Sequence, residues 1–151
     1  MRKLALGDAE LGLLARMLRQ VDFFSPLTVG QLDQVLPYIG LFSCERGETV
    51  FKQGDPGDAF YIVYKGRVSV RVKRTLLSLA CVVADIGPGG FFGEIALVSN
   101  QPRNATVVCE EPTDLFTLLP ADFAFVLREN PSVAAQMKRI AESRKFETRH
   151  A

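Results

Sequence analysis

The chain changes its hydrophobic rhythm twice. Near the start, Leu11, Leu14, Leu18 and Val21 recur at helical spacing behind Asp8, which predicts an amphipathic helix with Asp8 as its N-cap. Phe23-Phe24-Ser25-Pro26 breaks that helix. Thr28 and Gln31 have the spacing of a capping box, and Leu32, Val35, Leu36 and Ile39 supply the apolar stripe of a second helix. After Leu119 the helical period returns. Asp122 to Arg128 reads as one short helix, Asn130-Pro131 as the N-cap and first-turn pair of another, and Val133, Met137 and Ile140 as the buried stripe of that last helix.

Between these ends, from about Phe42 to Leu119, the pattern is that of short strands. Gly47, Gly54-Asp55-Pro56-Gly57-Asp58, Gly66 and Gly87-Pro88-Gly89-Gly90 divide it at intervals suited to an antiparallel sandwich or barrel. Val68, Val70 and Val72 alternate with Ser69, Arg71 and Lys73, so one face is expected to be buried and the other wet. Phe60-Tyr61-Ile62-Val63-Tyr64 reads as a more deeply buried strand, and so does Leu76 to Ala84, the most apolar run. The expectation is a mainly β fold, a double-sheet antiparallel jelly-roll barrel that carries one short helical interruption and is flanked by N- and C-terminal helices. We expect a single domain over 1–151, with N-terminal helices in 1–41, the jelly roll in 42–119 and C-terminal helices in 120–151.

Length and charge fit this reading. A chain of 151 residues can bury roughly two-thirds of its unfolded surface, so it needs neither disulfide nor metal. The formal net charge of +1 argues against a polyanion as the main partner. Cys44, Cys81 and Cys109 are far apart in sequence and odd in number, which predicts reduced, mostly buried thiols in a cytoplasmic protein. Asp8 follows Arg2 and Lys3 before any apolar stretch develops, which argues against a secretory signal. The Leu76 to Ala84 run is far shorter than the ~20 residues that span a bilayer, so no membrane insertion is expected.

The helical interruption carries the chemistry. Phe91-Phe92-Gly93-Glu94-Ile95-Ala96-Leu97, followed by Pro102-Arg103-Asn104-Ala105-Thr106-Val107, sets a glycine, a carboxylate and an arginine around a very short helix. A helix starting near Gly93 presents backbone N–H groups and the positive end of its dipole to an anion. Glu94 can accept from a sugar hydroxyl, and the planar fork of Arg103 matches two phosphate oxygens, with Asn104 and Ala105 adding backbone donors. The set suits a sugar joined to one negative phosphate. Taken singly, Gly93-Glu94 also fits an ordinary turn into a helix and Arg103 a solvated loop arginine. Their joint spacing favours the ligand site.

The stretch FFGEIALVSNQPRNATV over 91–107 resembles the phosphate-binding cassette of the cyclic-nucleotide-binding domain family. The resemblance implies that Phe92, Gly93, Glu94, Ile95, Ala96, Arg103, Asn104 and Ala105 surround the ligand. In that pattern Gly93 and Ala96 give backbone contacts, Glu94 holds the ribose 2′-hydroxyl and Arg103 pairs with the cyclic phosphate. It further implies a last helix that closes over the base, with Arg144 as lid residue. A Thr directly after the arginine favours cGMP in the family; Asn104 stands there, so cAMP is the favoured ligand and cGMP the alternative.

Other chemistries lack their residues. The sole histidine, His150, is beside the C-terminus, so neither a histidine metal cage nor a Ser-His-Asp machine can be assembled. No P-loop pattern occurs, and a cyclic phosphodiester needs no metal partner. No metal, no cofactor and no turnover are expected. Arg67, Arg71, Lys73 and Arg74 read as the solubilising face of a strand rather than a DNA contact, and no appended helix-turn-helix module and no DNA partner are expected. The partners expected are the cyclic nucleotide and an unknown downstream protein; the sequence leaves the oligomeric state open. Two other readings remain: an interaction module that keeps the fold without binding, and the cytosolic regulatory fragment of a channel or kinase.

Overall fold

The structure, a computed structural model, describes residues 1–75 and 77–150, with 144–150 described by backbone alone. Among the described residues, nine strands form two antiparallel sheets. The first has the order β1 (Arg2–Leu4), β2 (Gly40–Cys44), β9 (Thr113–Leu118), β4 (Phe60–Lys65), β7 (Phe91–Phe92). The second has the order β3 (Thr49–Phe51), β8 (Thr106–Cys109), β5 (Val68–Val72), β6 (Cys81–Ile86). Helices α1 (Asp8–Gln20), α2 (Val29–Val35), α4 (Pro120–Glu129) and α5 (Pro131–His150) come from the two ends of the chain, and the single turn α3 (Ile95–Val98) interrupts the strands. The two sheets are separate and antiparallel.

The deepest strand shows how the layers are specified. In β4, Phe60 and Ile62 belong to an apolar cluster with Leu14, Phe23, Phe24 and Met137 on the helical side. Tyr61 and Val63 belong to a second cluster with Val68, Val70 and Val107 between the sheets. β9 divides in the same way, Phe116 and Leu118 facing the helices and Leu115 the other sheet. A strand covered on both faces has no polar alternation to show, which is why Phe60 to Tyr64 reads as a continuous apolar run.

Several terminal signals act as expected. Thr28 Oγ1 accepts from the Gln31 N–H (3.2 Å) and Gln31 Oε1 from the Thr28 N–H (2.8 Å), closing the capping box of α2. Met137 is fully buried in α5. Others differ. Gly7, not Asp8, caps α1, and the Glu10 carboxylate accepts its N–H at 3.1 Å. Asn130 turns its side chain back, donating from Nδ2 to the Val126 carbonyl (3.1 Å), so it closes the end of α4 while its own carbonyl starts α5. The N-terminal stretch is not wholly helical: Arg2–Leu4 adds an edge strand to β2. Ser69, expected on the wet face, is buried because its hydroxyl and Arg71 share the Glu110 carboxylate.

The larger correction concerns the apolar run before β6. Leu76 lies outside the described residues. Thr75 and Ser78 close a turn by exchanging side-chain and backbone hydrogen bonds, and Leu77 and Leu79 are 99% and 89% exposed. The strand starts at Cys81, on the sheet edge, where most of its residues are exposed. Local turn chemistry at Thr75 and Ser78 prevails here over apolar composition. Cys44 and Cys109 are buried and Cys81 is exposed. The first two, remote in sequence, are brought together where the sheets meet, and the hydrogen bond from Cys44 to Cys109, with burial, pushes the Cys44 thiol up.

These assignments separate cleanly in unfolding experiments. Ile62→Ala, in a site closed on all sides, is expected to cost about 2–5 kcal/mol. Leu77→Ala and Leu79→Ala are each expected to stay within ~0.5 kcal/mol of the parent. Urea denaturation of the three variants checks this; a loss above ~2 kcal/mol at Leu77 would restore a buried strand.

Candidate functional site

The interruption begins where β7 ends. Gly93 has φ +78, a left-handed conformation open to glycine, and a Cβ built there would lie 2.8 Å from Arg103 Nη1 and 3.0 Å from the Ala59 carbonyl oxygen. The backbone therefore turns sharply into α3, whose N-cap is Glu94. Glu94 is 8% exposed, and Ile95, Ala96 and Leu97 are buried. The Ala96 N–H donates to the Gly93 carbonyl at 3.2 Å and the Leu97 N–H to the Glu94 carbonyl at 3.1 Å, so the turn is held by its own backbone.

Arg103 is delivered from the far side. Its N–H donates to the Asp55 carbonyl (2.7 Å) and its own carbonyl accepts from the Gly54 N–H (2.8 Å), while Pro56 bridges Pro102. The glycine-rich turn 54–58 is thereby sewn to the cassette. The guanidinium points inward and is 3% exposed. Nη2 donates to the Ala59 carbonyl at 2.6 Å and to Asp58 Oδ1 at 3.3 Å, and Nη1 donates to the Gly93 carbonyl at 3.3 Å. It also lies 4.0 Å over the Phe51 ring, itself packed on Phe92. Nε finds no hydrogen-bond partner among the described residues. Burial pulls the guanidinium pKa down, against Tyr61 and Asp58, which raise it; a group so basic keeps its charge.

A partly open cavity of ≈ 90 Å³ lies in front of this arginine. Gly93, Glu94, Ile95, Arg103, Asn104 and Ala105 form its polar end, with Phe92 beside them. Phe51, Val70, Ala84, Ile86 and Val107 form an apolar wall, and Ala141 reaches it from α5. Of the residues expected from the sequence, Ala96 does not line it; its methyl faces Gly57, where an added Cβ would approach to 3.3 Å. The Arg144 side chain lies outside the described residues. Sequence reasoning read Asp58 only as a turn residue and passed over Ala59 and Ala141. The signal for Asp58 was its place in a turn rich in glycine; for the two alanines there was none, since their contribution is position.

The arrangement offers a buried cation, a buried carboxylate and an apolar wall within one small space. Among the described residues, no group of three or more His, Cys, Asp or Glu side chains is placed to hold a metal ion. Such a site matches a ligand that is anionic at one end and apolar and flat at the other. The family model for the cyclic nucleotide-binding domain matches residues 41–130, and the chain belongs to that family.

Relatives show the settings in which the family occurs. The chain is 34% identical over 122 residues to the cyclic AMP receptor protein of Thermus thermophilus, covering 80% of this chain and 56% of that protein. It is 29% identical over 130 residues to a cyclic nucleotide-gated potassium channel of Mesorhizobium japonicum, covering 86% and 34%. The chain thus spans between a third and somewhat over half of these relatives' length. The regulatory domain of Toxoplasma gondii PKA, solved with cAMP, has a TM-score of 0.74 at 22% identity, over 88% of this chain and 50% of that one, a likeness of fold. No helix among the described residues is long and apolar enough to cross a membrane.

Gly93 gives the first test of the site's construction. Gly93→Ala is expected to lose about 1–2 kcal/mol from the left-handed backbone alone, and more because the new methyl meets Arg103 and Ala59. Gly54→Ala, with φ +93 and open space around it, should lose only the backbone share. Paired urea titrations check this; equal losses at the two positions would mean that Arg103 does not sit against Gly93.

Proposed function

We propose that the cavity binds a cyclic nucleotide, cAMP in preference to cGMP, without turning it over, and that occupancy is relayed through α5 to a partner protein. The observation that carries this is the unpartnered Nε of a guanidinium that is 3% exposed and faces the Gly93–Glu94 turn. Buried donors are almost always satisfied. Phosphate oxygens in the cavity would accept from Nε–H and from the Nη2–H now directed at Asp58, the side-on fork that suits Arg–phosphate pairs. Asp58, whose side chain is 77% exposed, would yield at little cost.

The other roles follow from position. Glu94, at the polar end, is assigned the ribose 2′-hydroxyl, and the base is assigned to the apolar wall of Val70, Ala84 and Ile86. Gly93, Phe92, Ile95, Asn104 and Ala105 frame the phosphate and sugar, and Ala96, packed toward Gly57, supports the turn from behind. The preference for cAMP rests on Asn104 in place of a threonine and on the cAMP named in the Thermus relative. We read the two sheets as the family's jelly roll, one domain whose purpose is to hold the cassette rigid. None of the described residues that line the cavity pairs a nucleophile with an adjacent base, and binding without chemistry is the reading we adopt.

Relay through α5 is favoured by the size and walls of the site. Ligand pockets ordinarily measure ≈ 300–1,000 Å³, and this one is narrowed by Ala141 of α5. A nucleotide would enter by shifting that helix, and a ligand drives such a change only through contacts that differ between the two states. Arg144, further along α5, is the proposed lid residue. The Mesorhizobium relative is a channel, so a regulatory unit of a larger protein is the second reading.

Removing Arg103 leaves a buried phosphate without its counter-charge, a loss of about 2–5 kcal/mol or thirtyfold to several thousandfold in affinity. Calorimetric titration of the parent and Arg103→Ala with cAMP and cGMP measures this, circular dichroism confirming the fold. An unchanged dissociation constant would refute the role of Arg103, and failure of both ligands to bind the parent would favour the non-binding module. The relay has its own test. Amide exchange across 132–146 is expected to slow on saturation with cAMP as α5 closes over the base; identical exchange with and without ligand would remove α5 from the mechanism while leaving the cavity reading intact.

A further inference from the structure

A second feature, on the other side of the second sheet, shares no wall residue with the cavity and does not depend on the reading given to it. The hairpin between β5 and β6 runs past the paired ends of the strands at Val72 and Cys81, and Thr75 and Ser78 are bonded to each other across its tip. The Thr75 N–H donates to Ser78 Oγ (3.1 Å), the Ser78 N–H donates to Thr75 Oγ1 (3.1 Å), and Ser78 Oγ donates to the Thr75 carbonyl (3.0 Å). This closed turn holds Leu77 and Leu79 outward at 99% and 89% exposure. Leucines displayed on a locked turn face water by construction.

Behind the tip lies a cationic cleft. Gln53 clamps the Lys73 backbone from both sides, donating to its carbonyl and accepting from its N–H, each at 2.8 Å, so the hairpin base is fixed to the turn after β3. The open cleft between them measures ≈ 690 Å³ and has Lys52, Lys73 and Arg74 in its walls. None of its described wall residues is a carboxylate. The neighbouring Asp55 carboxylate is turned onto the Lys52 N–H at 3.0 Å. Elsewhere on this sheet basic groups are matched, Arg67 with Asp85 at 2.8 Å and Arg71 with Glu110 at 2.6 Å. Among the described residues no carboxylate forms an ion pair with Lys52 or Lys73.

We propose that this hairpin docks the protein peripherally on an anionic phospholipid bilayer, with Leu77 and Leu79 entering the headgroup boundary and Lys52, Lys73 and Arg74 meeting the lipid phosphates. The pairing of the groups decides the occupant. Leu77 and Leu79 stand almost fully exposed at the hairpin turn while Lys52, Lys73 and Arg74 line the cleft at its base, a pairing of apolar and cationic groups that matches the acyl and phosphate layers of an anionic bilayer. A protein interface asks for a broad patch of some 20–30 residues a side with an apolar centre, and among the described residues the exposed large apolar side chains of this hairpin are Leu77 and Leu79, with Val82 on the adjoining strand. A free anion would have no use for the leucines. The docking is weak by design, since neither two leucines nor three cations hold a protein at a membrane alone. The net charge of +1 adds no long-range attraction, so binding depends on the local collar and falls with salt.

Co-sedimentation of the intact chain with vesicles tests this. Binding is expected to vesicles of phosphatidylcholine mixed equally with phosphatidylglycerol and not to phosphatidylcholine alone, with release as salt is raised. Leu77→Ser with Leu79→Ser, and separately Lys73→Glu with Arg74→Glu, should each weaken it by about tenfold or more. All four positions are exposed, so circular dichroism should be unchanged. Equal binding to both vesicle types, binding to neither, or binding indifferent to the leucine pair would overturn the proposal. So would a dimer in sedimentation velocity that the leucine pair dissolves, which would make the tip a contact between copies, or saturable binding of inorganic phosphate lost only in the charge-reversal pair, which would make the cleft a free-anion site.

Discussion

A guanidinium held out of water governs the geometry of this molecule's cassette. Desolvating a charge costs several kcal/mol even after relaxation, and the chain meets that cost at Arg103 with carbonyls rather than with a buried carboxylate. The Ala59 and Gly93 carbonyls and the Phe51 ring sit around the cation, and the nearest acid, Asp58, is itself in solvent. Each partner constrains its own element. Ala59 fixes the entry to β4, Gly93 must be glycine with its backbone left-handed, and Phe51 must face inward from β3. The loop that carries Arg103 is tied to Gly54 and Asp55 by its backbone. With its closest partners neutral carbonyls, Asp58 in solvent and Glu94 acting only through space, the cation is compensated in part, and the field at the cavity keeps a share of the arginine's charge.

That arrangement needs a scaffold that does not yield, and β4 and β9 supply it. Each is covered by helices on one face and by the second sheet on the other, so the cassette hangs from strands that have no exposed side to fray. The aromatic residues are divided accordingly. Phe23, Phe24, Phe60 and Phe123 interlock under the helices, while Phe51, Tyr61 and Phe92 stack between the sheets directly beneath the arginine. Burial pushes the Tyr61 phenol up to about 12, a sign of how little water reaches this layer.

What was legible in the sequence was whatever local chemistry dictates. The Thr28–Gln31 box, the alternation of Val68, Val70 and Val72, and the glycine, carboxylate and arginine of the cassette could all be read, because each depends on residue type at fixed spacing. The failures have a common cause. Leu77 and Leu79 are apolar residues that the fold leaves outside, and composition cannot tell a buried strand from a displayed tip. Arg2–Leu4 forms a strand only because β2 offers it an edge. Asp58, Ala59 and Ala141 take part through backbone position or proximity, properties that exist only once β4, the cassette and α5 have been brought together. The paired burial of Cys44 and Cys109 likewise depends on how the sheets meet.

The place of α5 shows how the site and the core are coupled. Met137 and Ala141 belong to the apolar cluster under the first sheet, together with Ile95 and Leu97 of α3, and Ala141 is at the same time part of the cavity wall. A helix that is both core and wall cannot retreat from the cavity without unpacking apolar surface from its neighbours. α3 is a single turn, too short to be stable by itself, so its position is set by the residues packed on it. In the proposed reading a ligand at Gly93 and Glu94 therefore competes with α5 for the placing of α3. The strength of that competition is a coupling free energy that acts equally in both directions. A partner that repositioned α5 would change nucleotide affinity by the same factor by which bound nucleotide, in repositioning α5, changes the affinity for the partner.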